Sequence, residues 1–135
     1  PDDVDDDRAA ALLLQGLTAL ALIGPRGARL EPGETVVVEG AAGGTGSLSV
    51  QLAKRAGARV IGLASSEEKR AVAERLGADA TVDSQAGDLE AAIREANGGE
   101  RVDAVLHMSG GSAFDAELGI LAPLGRMVVF GIASR

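Results

Sequence analysis

Five short apolar segments recur along the chain, and stretches of helical length separate them. We predict strands at 35–39, 59–63, 80–83, 102–106 and 126–130, and helices between them at 45–56, 67–76, 88–96 and 113–121. Short β-branched runs that alternate with helices of about ten residues indicate βαβ units and a parallel sheet. Because crossovers between parallel strands are right-handed, we expect a doubly wound α/β sheet of about five strands in the order 3-2-1-4-5. Ligands bind such sheets where the order reverses, at the carboxyl end of the first strand.

A further helix is predicted ahead of the sheet, over residues 5–23. The acidic residues at 5–7 suit the positive end of a helix, and Gly24 with Pro25 ends it. A sixth strand would come after Arg135, so we expect the fifth strand to have an unpaired edge unless another segment covers it. An exposed edge of this kind favours pairing across a two-fold axis, and we predict a homodimer through this strand.

The composition of the chain argues against several kinds of binding partner and site. The 135 residues predict one domain over 1–135, with only two aromatic residues, Phe114 and Phe130. The net charge of −7 argues against nucleic acid or an anionic membrane as a partner, since both require a basic surface. Cys is absent, which excludes disulfides and a thiolate zinc site within the chain. The acidic start is unlike a signal peptide, and the apolar stretch at 9–23 is shorter than the roughly 20 residues that span a bilayer, so we expect a cytoplasmic protein.

The strongest chemical signal is a glycine-rich turn after the first predicted strand. Residues 40–46 read GAAGGTG and open the next helix. Glycines here let backbone N–H groups approach a pyrophosphate, and the positive end of the helix binds that anion. Gly46 is expected to allow close packing of the helix against the strand. A P-loop is excluded because no Lys follows at the required position. The remaining alternative to a dinucleotide site is a plain βα turn.

The end of the second predicted strand indicates which dinucleotide binds. An NAD site usually has Asp or Glu there to bind the ribose hydroxyls. This chain instead has Ser65 and Ser66, with Lys69 and Arg70 one turn later. Hydroxyls and cations suit the 2′-phosphate of NADPH, and we predict NADPH as the cofactor. The alternative is a solvated helix start with Ser66 as its N-cap.

Six segments together resemble the medium-chain dehydrogenase/reductase family, and most closely its bacterial NADPH:quinone oxidoreductases and zeta-crystallins. They are LQGLTA at 14–19, the glycine turn at 40–46, QLA at 51–53, ASSxxK at 64–69, LGA at 76–78 and GRxxxFG at 125–131. The resemblance covers nearly the whole chain, as a cofactor-binding domain. It also implies that a second, barrel-like catalytic domain forms the other wall of the active site. That domain is absent from this chain, so we expect the chain alone not to turn over quinone.

The resemblance assigns cofactor contacts residue by residue. It implies the pyrophosphate at Gly43, Gly44 and Thr45, the 2′-phosphate at Ser65 and Lys69, the nicotinamide at Thr18, Phe130 and Gly131, and the adenosine side at Met108 and Ser109. For Thr18, a helix hydroxyl bonded to its own backbone is an equal alternative to a nicotinamide contact. For Phe130, a side chain in the core is the alternative to such a contact. His107, the only histidine, is interpreted as packing or as a residue near the site mouth. No residue of the chain is proposed as a catalytic group or as a metal ligand.

Three functions remain open on the sequence. The resemblance implies a zinc-independent oxidoreductase that transfers hydride from NADPH to a quinone or an α,β-unsaturated carbonyl. One alternative is an enoyl-thioester reductase domain of a polyketide synthase. Another, of a different class, is a dinucleotide-binding module without catalysis. A short-chain dehydrogenase is excluded, because its Tyr-x-x-x-Lys pair needs a tyrosine and the chain has none.

Overall fold

Strands and helices alternate along the chain as the apolar pattern predicts. The computed structural model describes residues 5–131, so residues 1–4 and 132–135 of the predicted domain lie outside the described residues. The strands are β1 (Thr35–Val38), β2 (Arg59–Ala64), β3 (Ala80–Asp83), β4 (Val102–His107) and β5 (Leu121–Val129). The helices are α1 (Asp6–Ile23), α2 (Gly44–Arg55), α3 (Glu67–Arg75), α4 (Leu89–Ala96) and α5 (Ser112–Gly119). All strand pairs are parallel in the order β3-β2-β1-β4-β5, which confirms the predicted doubly wound, Rossmann-type fold.

The central strand β1 is buried on both faces of the sheet. Successive side chains of a strand point to opposite sides, so β1 contributes to two cores. Val36 and Val38 pack in one core with residues of α2 such as Val50. Val37 packs in the other core with residues of α4 such as Ile93. Helices on both faces thus fix β1, and with it the glycine turn, at the middle of the sheet where the strand order reverses.

The last helix and strand differ from the prediction. A helix to 121 and a strand from 126 were expected, whereas α5 ends at Gly119 and β5 begins at Leu121. Leu121 pairs with Val102 and the next pair joins Arg126 to Ala104, so residues 122–125 bulge opposite the single residue 103. Within this bulge Pro123 has no N–H to donate and Leu124 adopts a φ of 65°, and both interrupt the ladder. The turn residues that suggested a helix end therefore mark an irregularity inside the strand.

β5 lies at one edge of the sheet, next to β4. Two of its apolar side chains are exposed, Leu124 by 97% and Val129 by 51%. Within residues 5–131, β5 is therefore an edge strand.

Within residues 5–131, no helix combines the length and the apolar character that crossing a membrane requires.

Candidate cofactor-binding site

The glycine turn leaves the positive end of α2 open. Gly43 is the N-cap of α2 and offers no side chain to the first N–H groups, and the first turn contains no acidic residue. The first N–H groups of a helix have no acceptor within the helix, so this end attracts an anion. Gly46 packs tightly beneath it, since a Cβ on Gly46 would lie 2.1 Å from the carbonyl oxygen of Gly40. Gly40 itself has a φ of +61°, which glycine adopts without strain.

A cleft of about 520 Å³ lies over this turn, at the carboxyl ends of β1, β2 and β4. Eight of the eleven predicted contact residues line it. They are Gly43, Gly44, Thr45, Gly46, Ser65, Lys69, Met108 and Ser109. These residues come from three segments that are far apart in sequence, and the reversal of strand order brings them to one place.

The sequence left open whether the start of α3 is a capped helix end or a site for the 2′-phosphate, and its geometry is compatible with both. Ser66 is its N-cap, with Oγ accepting the N–H of Lys69 at 3.3 Å. The side chains of Ser65 and Lys69 remain exposed beside the cleft. A backbone N–H at the helix start and the Ser66 hydroxyl lower the pKa of Glu68, so its carboxylate takes part in capping. Capping by Ser66 and Glu68 therefore leaves a hydroxyl and an ammonium group for a ligand.

Helix α1 contributes Gln15 to the cleft. Thr18 does not belong to the lining of the cleft. Its Oγ1 donates to the carbonyl of Leu14 at 2.8 Å, which is the alternative role that the sequence left open. Gln15 lies one turn before Thr18 on the same helix face and lines the cleft. It packs on Gly44, where a Cβ would come within 2.4 Å of its amide group. Gln15 was not predicted, and the available signal was its spacing of three residues from Thr18.

Phe130 and Gly131 do not belong to the lining of the cleft. The N–H of Phe130 donates to the carbonyl of His107 at 3.0 Å, and its side chain packs half-buried against the core. A Cβ on Gly131 would lie 3.2 Å from Met108 Cγ, so this glycine leaves room for Met108. Their predicted contact with a nicotinamide stays a prediction.

Three buried ionisable side chains meet beside the cleft, one of which, Glu39, also lines it, and none of them was predicted as a site residue. Glu39 is 7% exposed, His107 1% and Glu117 0%. His107 Nδ1 lies 2.6 Å from Glu117 Oε2 and 3.4 Å from Glu39 Oε2. The N–H of Gly110 donates to His107 Nε2 at 2.8 Å, which requires that nitrogen to be unprotonated. The neutral ring therefore carries its proton on Nδ1 and donates it to Glu117.

Burial raises the pKa of Glu117 to about 8, and the nearby carboxylate of Glu39 adds to this effect. No described residue provides a hydrogen-bond partner for Glu117 Oε1. A protonated Glu117 at neutral pH avoids placing a second negative charge beside Glu39 in a buried site. The cluster thus joins the carboxyl group of Glu39 and the ring of His107 to a Glu117 whose pKa is raised by burial.

A second cavity of about 520 Å³ lies between α1 and α2. Its lining is mostly apolar and includes Leu12, Leu13, Leu17 and Leu20, which are between 47% and 64% exposed. It has neither the open helix end nor the hydroxyls and ammonium group of the first cleft. Of these two cavities, the cleft over the glycine turn therefore has the chemistry that suits a dinucleotide.

A doubly wound sheet with an open glycine turn at its switch point defines the class of dinucleotide-binding α/β domains. Residues 44–135 match the family model described as zinc-binding dehydrogenase. The chain therefore belongs to this family of the medium-chain dehydrogenases/reductases, which confirms the resemblance carried by its six segments.

Relatives of the chain include reductases of different kinds. The 2-haloacrylate reductase of Burkholderia sp is 37% identical over 132 residues, which are 98% of this chain and 39% of that protein. A phenolphthiocerol/phthiocerol polyketide synthase protein of Mycobacterium tuberculosis is 39% identical over 131 residues, which are 97% of this chain and 6% of that protein. The crystal structure of Escherichia coli quinone oxidoreductase complexed with NADPH matches with a TM-score of 0.90 at 32% identity, over 98% of this chain and 40% of that chain. The chain spans about two-fifths of the length of the first and third of these proteins.

The family description mentions zinc, but the buried cluster does not fit a zinc site. Among residues 5–131, Glu39, His107 and Glu117 are the group whose donor atoms lie close enough together, within 4.8 Å. Both ring nitrogens of His107 are engaged, one with Gly110 and the other with Glu117. The oxygens of Glu39 accept hydrogen bonds from Met108 and Ser109. Binding zinc at about 2.0–2.2 Å would require breaking these bonds in a buried site.

Proposed function

We propose that this chain is the cofactor-binding part of an NADPH-dependent oxidoreductase that reduces a quinone or an α,β-unsaturated carbonyl. The observation that carries the proposal is the cleft, in which an open helix end, Ser65 and Lys69 converge. The similarity to E. coli quinone oxidoreductase and to 2-haloacrylate reductase supports it. Bound NADPH would supply the hydride, while the residues of this chain bind and orient it. A cytoplasmic location belongs to the same proposal.

The glycine turn would hold the pyrophosphate. The backbone at Gly43, Gly44 and Thr45 borders the cleft, and the absence of Cβ atoms at two of these positions gives an anion close access to N–H groups. Gln15 already occupies the space over Gly44, where a Cβ would meet its amide group. The Gln15 amide would therefore lie beside the bound phosphates and add a polar contact from α1.

The 2′-phosphate would lie between Ser65 and Lys69. Arg70 does not face it in the same way, because its Nη1 is 3.2 Å from the carbonyl of Ala64 and 3.4 Å from Asp83 Oδ2. Among the described residues that line the cleft, Lys69 is therefore the cation placed to form a charge-assisted hydrogen bond with the phosphate. The phosphate is the part that distinguishes NADPH from NADH, so discrimination between them should depend on Lys69.

We expect Lys69→Ala to weaken NADPH binding about tenfold, since hydrogen bonds to charged groups contribute about 1.5–3 kcal/mol, and to leave NADH binding unchanged. Calorimetric titration of the unsubstituted chain and of Lys69→Ala, each with NADPH and with NADH, measures these affinities. Arg75→Ala is the matched control, because Arg75 is an exposed cation in the last turn of the same helix and does not line the cleft. Equal loss for NADPH and NADH, or equal loss in the control, would contradict the assignment of Lys69.

A second candidate is an enoyl-thioester reductase domain of a polyketide synthase. The 39% identity to the mycobacterial polyketide synthase protein favours it. Both candidates use the same cofactor cleft and the same hydride chemistry, and they differ in the acceptor. Activity of the whole protein with a crotonyl thioester, compared with a quinone, distinguishes the two.

The exposed edge of β5 supports a homodimer as part of this proposal. Among the described residues no strand pairs with the outer side of β5, an edge of this kind can pair with a second chain, and Val129 on this strand is 51% exposed. We expect sedimentation to show a dimer at micromolar concentration and Val129→Lys to weaken it. A monomer at all concentrations would contradict this assembly.

A further inference from the structure

Glu39 is a buried carboxylate directly after β1, and its side chain accepts hydrogen bonds from the two residues directly after β4. Oε2 accepts the N–H groups of Met108 at 2.5 Å and of Ser109 at 2.9 Å. Oε1 accepts the hydroxyl of Ser109. Three donors on two consecutive residues therefore end on one side chain that is 7% exposed. Carboxylates accept such bonds more strongly than neutral groups do.

The segment that Glu39 holds forms one wall of the cleft. Met108 and Ser109 both line it. The Met108 side chain lies between two glycines, since a Cβ on Gly40 would be 2.9 Å from its Cε and a Cβ on Gly131 would be 3.2 Å from its Cγ. A shift of the Met108 backbone would therefore move this side chain against the glycine turn or into the cleft.

His107 extends the same support by one residue. Its Nε2 accepts the N–H of Gly110 at 2.8 Å, so two side chains accept the N–H groups of three consecutive residues, 108–110. Its Nδ1 is held by Glu117 at 2.6 Å, which fixes the ring from the side of α5. The bonds lie in a core where an unpaired polar group is costly, so each fixes its partner firmly.

We propose that Glu39 is a positioning residue of the cofactor cleft, which holds the Met108–Ser109 wall in the conformation that accepts the dinucleotide. The inference rests on the proposed binding of NADPH in this cleft. It adds a role for a residue that does not touch the reacting atoms, and it explains why a carboxylate is buried next to a site for an anionic ligand. Glu39 itself borders the cleft, and its carboxylate accepts hydrogen bonds from backbone and hydroxyl donors there.

The main test is Glu39→Gln. The substitution keeps the size of the side chain but replaces one accepting oxygen by an NH₂ group, which would face donors. We expect the Kd for NADPH to rise about tenfold, in line with the loss of hydrogen bonds to a charged group. We also expect the amide NMR signals of Met108 and Ser109 to move upfield in the free protein, because their acceptor is weakened.

Asp103→Asn is the matched control. Asp103 lies at the other end of β4, and its Oδ2 accepts the N–H of Thr35 at the start of β1 at 2.8 Å. It thus links the same two strands by the same kind of bond, far from the cleft. We expect the control to lower the midpoint of denaturation by an amount similar to Glu39→Gln, with less than a twofold change in the Kd for NADPH and no movement of the Met108 and Ser109 signals.

The outcomes separate this inference from the proposed function. If the unsubstituted chain does not bind NADPH, the proposed function fails and the inference fails with it. If that chain binds and Glu39→Gln binds equally well, or if the control loses as much affinity, the inference alone is overturned. Should Glu39→Gln not fold, Glu39→Asp decides, since it keeps the charge but is one methylene too short to reach both residues, and the same rise in Kd is expected.

Discussion

Replacing Gly46 by alanine should abolish NADPH binding and lower the free energy of unfolding by about 3 kcal/mol, the upper part of the usual range for overpacking. The added Cβ would lie 2.1 Å from the carbonyl oxygen of Gly40, 2.7 Å from its carbonyl carbon and 3.1 Å from the Cα of Ala41. All three are backbone atoms, which cannot rotate away as a side chain would. The clash would push α2 from the glycine turn, and the N–H groups that bind an anion would move with it.

Gly87→Ala is the control for Gly46→Ala. Gly87 lies in a loop, and a Cβ there would meet no atom within 4 Å. We expect this variant to keep both the stability and the NADPH affinity of the unsubstituted chain. Denaturant unfolding and calorimetric titration of the two variants measure the difference. A Gly46→Ala protein that is as stable as the control and binds NADPH would contradict the packing described for the turn.

The unsubstituted chain should lose stability as the pH rises from 5 to 8. Replacing Glu117 by Gln should remove most of this loss. Burial and the Glu39 carboxylate raise the pKa of Glu117 to about 8 from its ordinary value of 4.5. Between these two values the folded chain retains a proton that the unfolded chain has lost. The contribution of Glu117 to the free energy of unfolding is therefore fully present below pH 4.5. It is lost as the pH rises to 8, by at most about 1.4 kcal/mol per pH unit. A glutamine does not titrate, so the variant should lack this slope.

Denaturant unfolding at several pH values tests the role of Glu117. Glu95→Gln is the matched control, since Glu95 is an exposed glutamate on the neighbouring helix α4. We expect the control to show the slope of the unsubstituted chain, with Glu117→Gln gaining relative stability as the pH rises. Parallel stability curves for all three proteins would show that Glu117 titrates at an ordinary pH.

The fold and the cofactor turn were predictable because their signals are local. Apolar runs of β-branched residues mark each strand, and the spacing of 40–46 after β1 places glycines where a helix begins. The strand order then follows from the handedness of the crossovers. The preference for NADPH could be predicted for the same reason, since Ser65 and Lys69 lie within about one turn of each other after β2.

The features that sequence reasoning missed depend on contacts between distant residues. Glu39, His107 and Glu117 are 68 and 10 residues apart along the chain, and only the pairing of β1 with β4 and the packing of α5 bring them together. Two polar residues at the carboxyl ends of adjacent strands were the available signal. The start of β5 was missed because Pro123 and Gly125 are typical of a helix end, while the pairing of Leu121 with Val102 is decided by the sheet.

Titration of the chain with NADPH, followed by the backbone amide signals in NMR spectra, tests the central claim most directly. We expect NADPH to bind, with the largest shifts at residues 43–46 and at 65–69, and smaller shifts at Met108 and Ser109. The segments around the apolar cavity between α1 and α2 should move little. Shifts confined to that cavity, or no binding at millimolar NADPH, would contradict the claim that the glycine turn of this chain is a cofactor site.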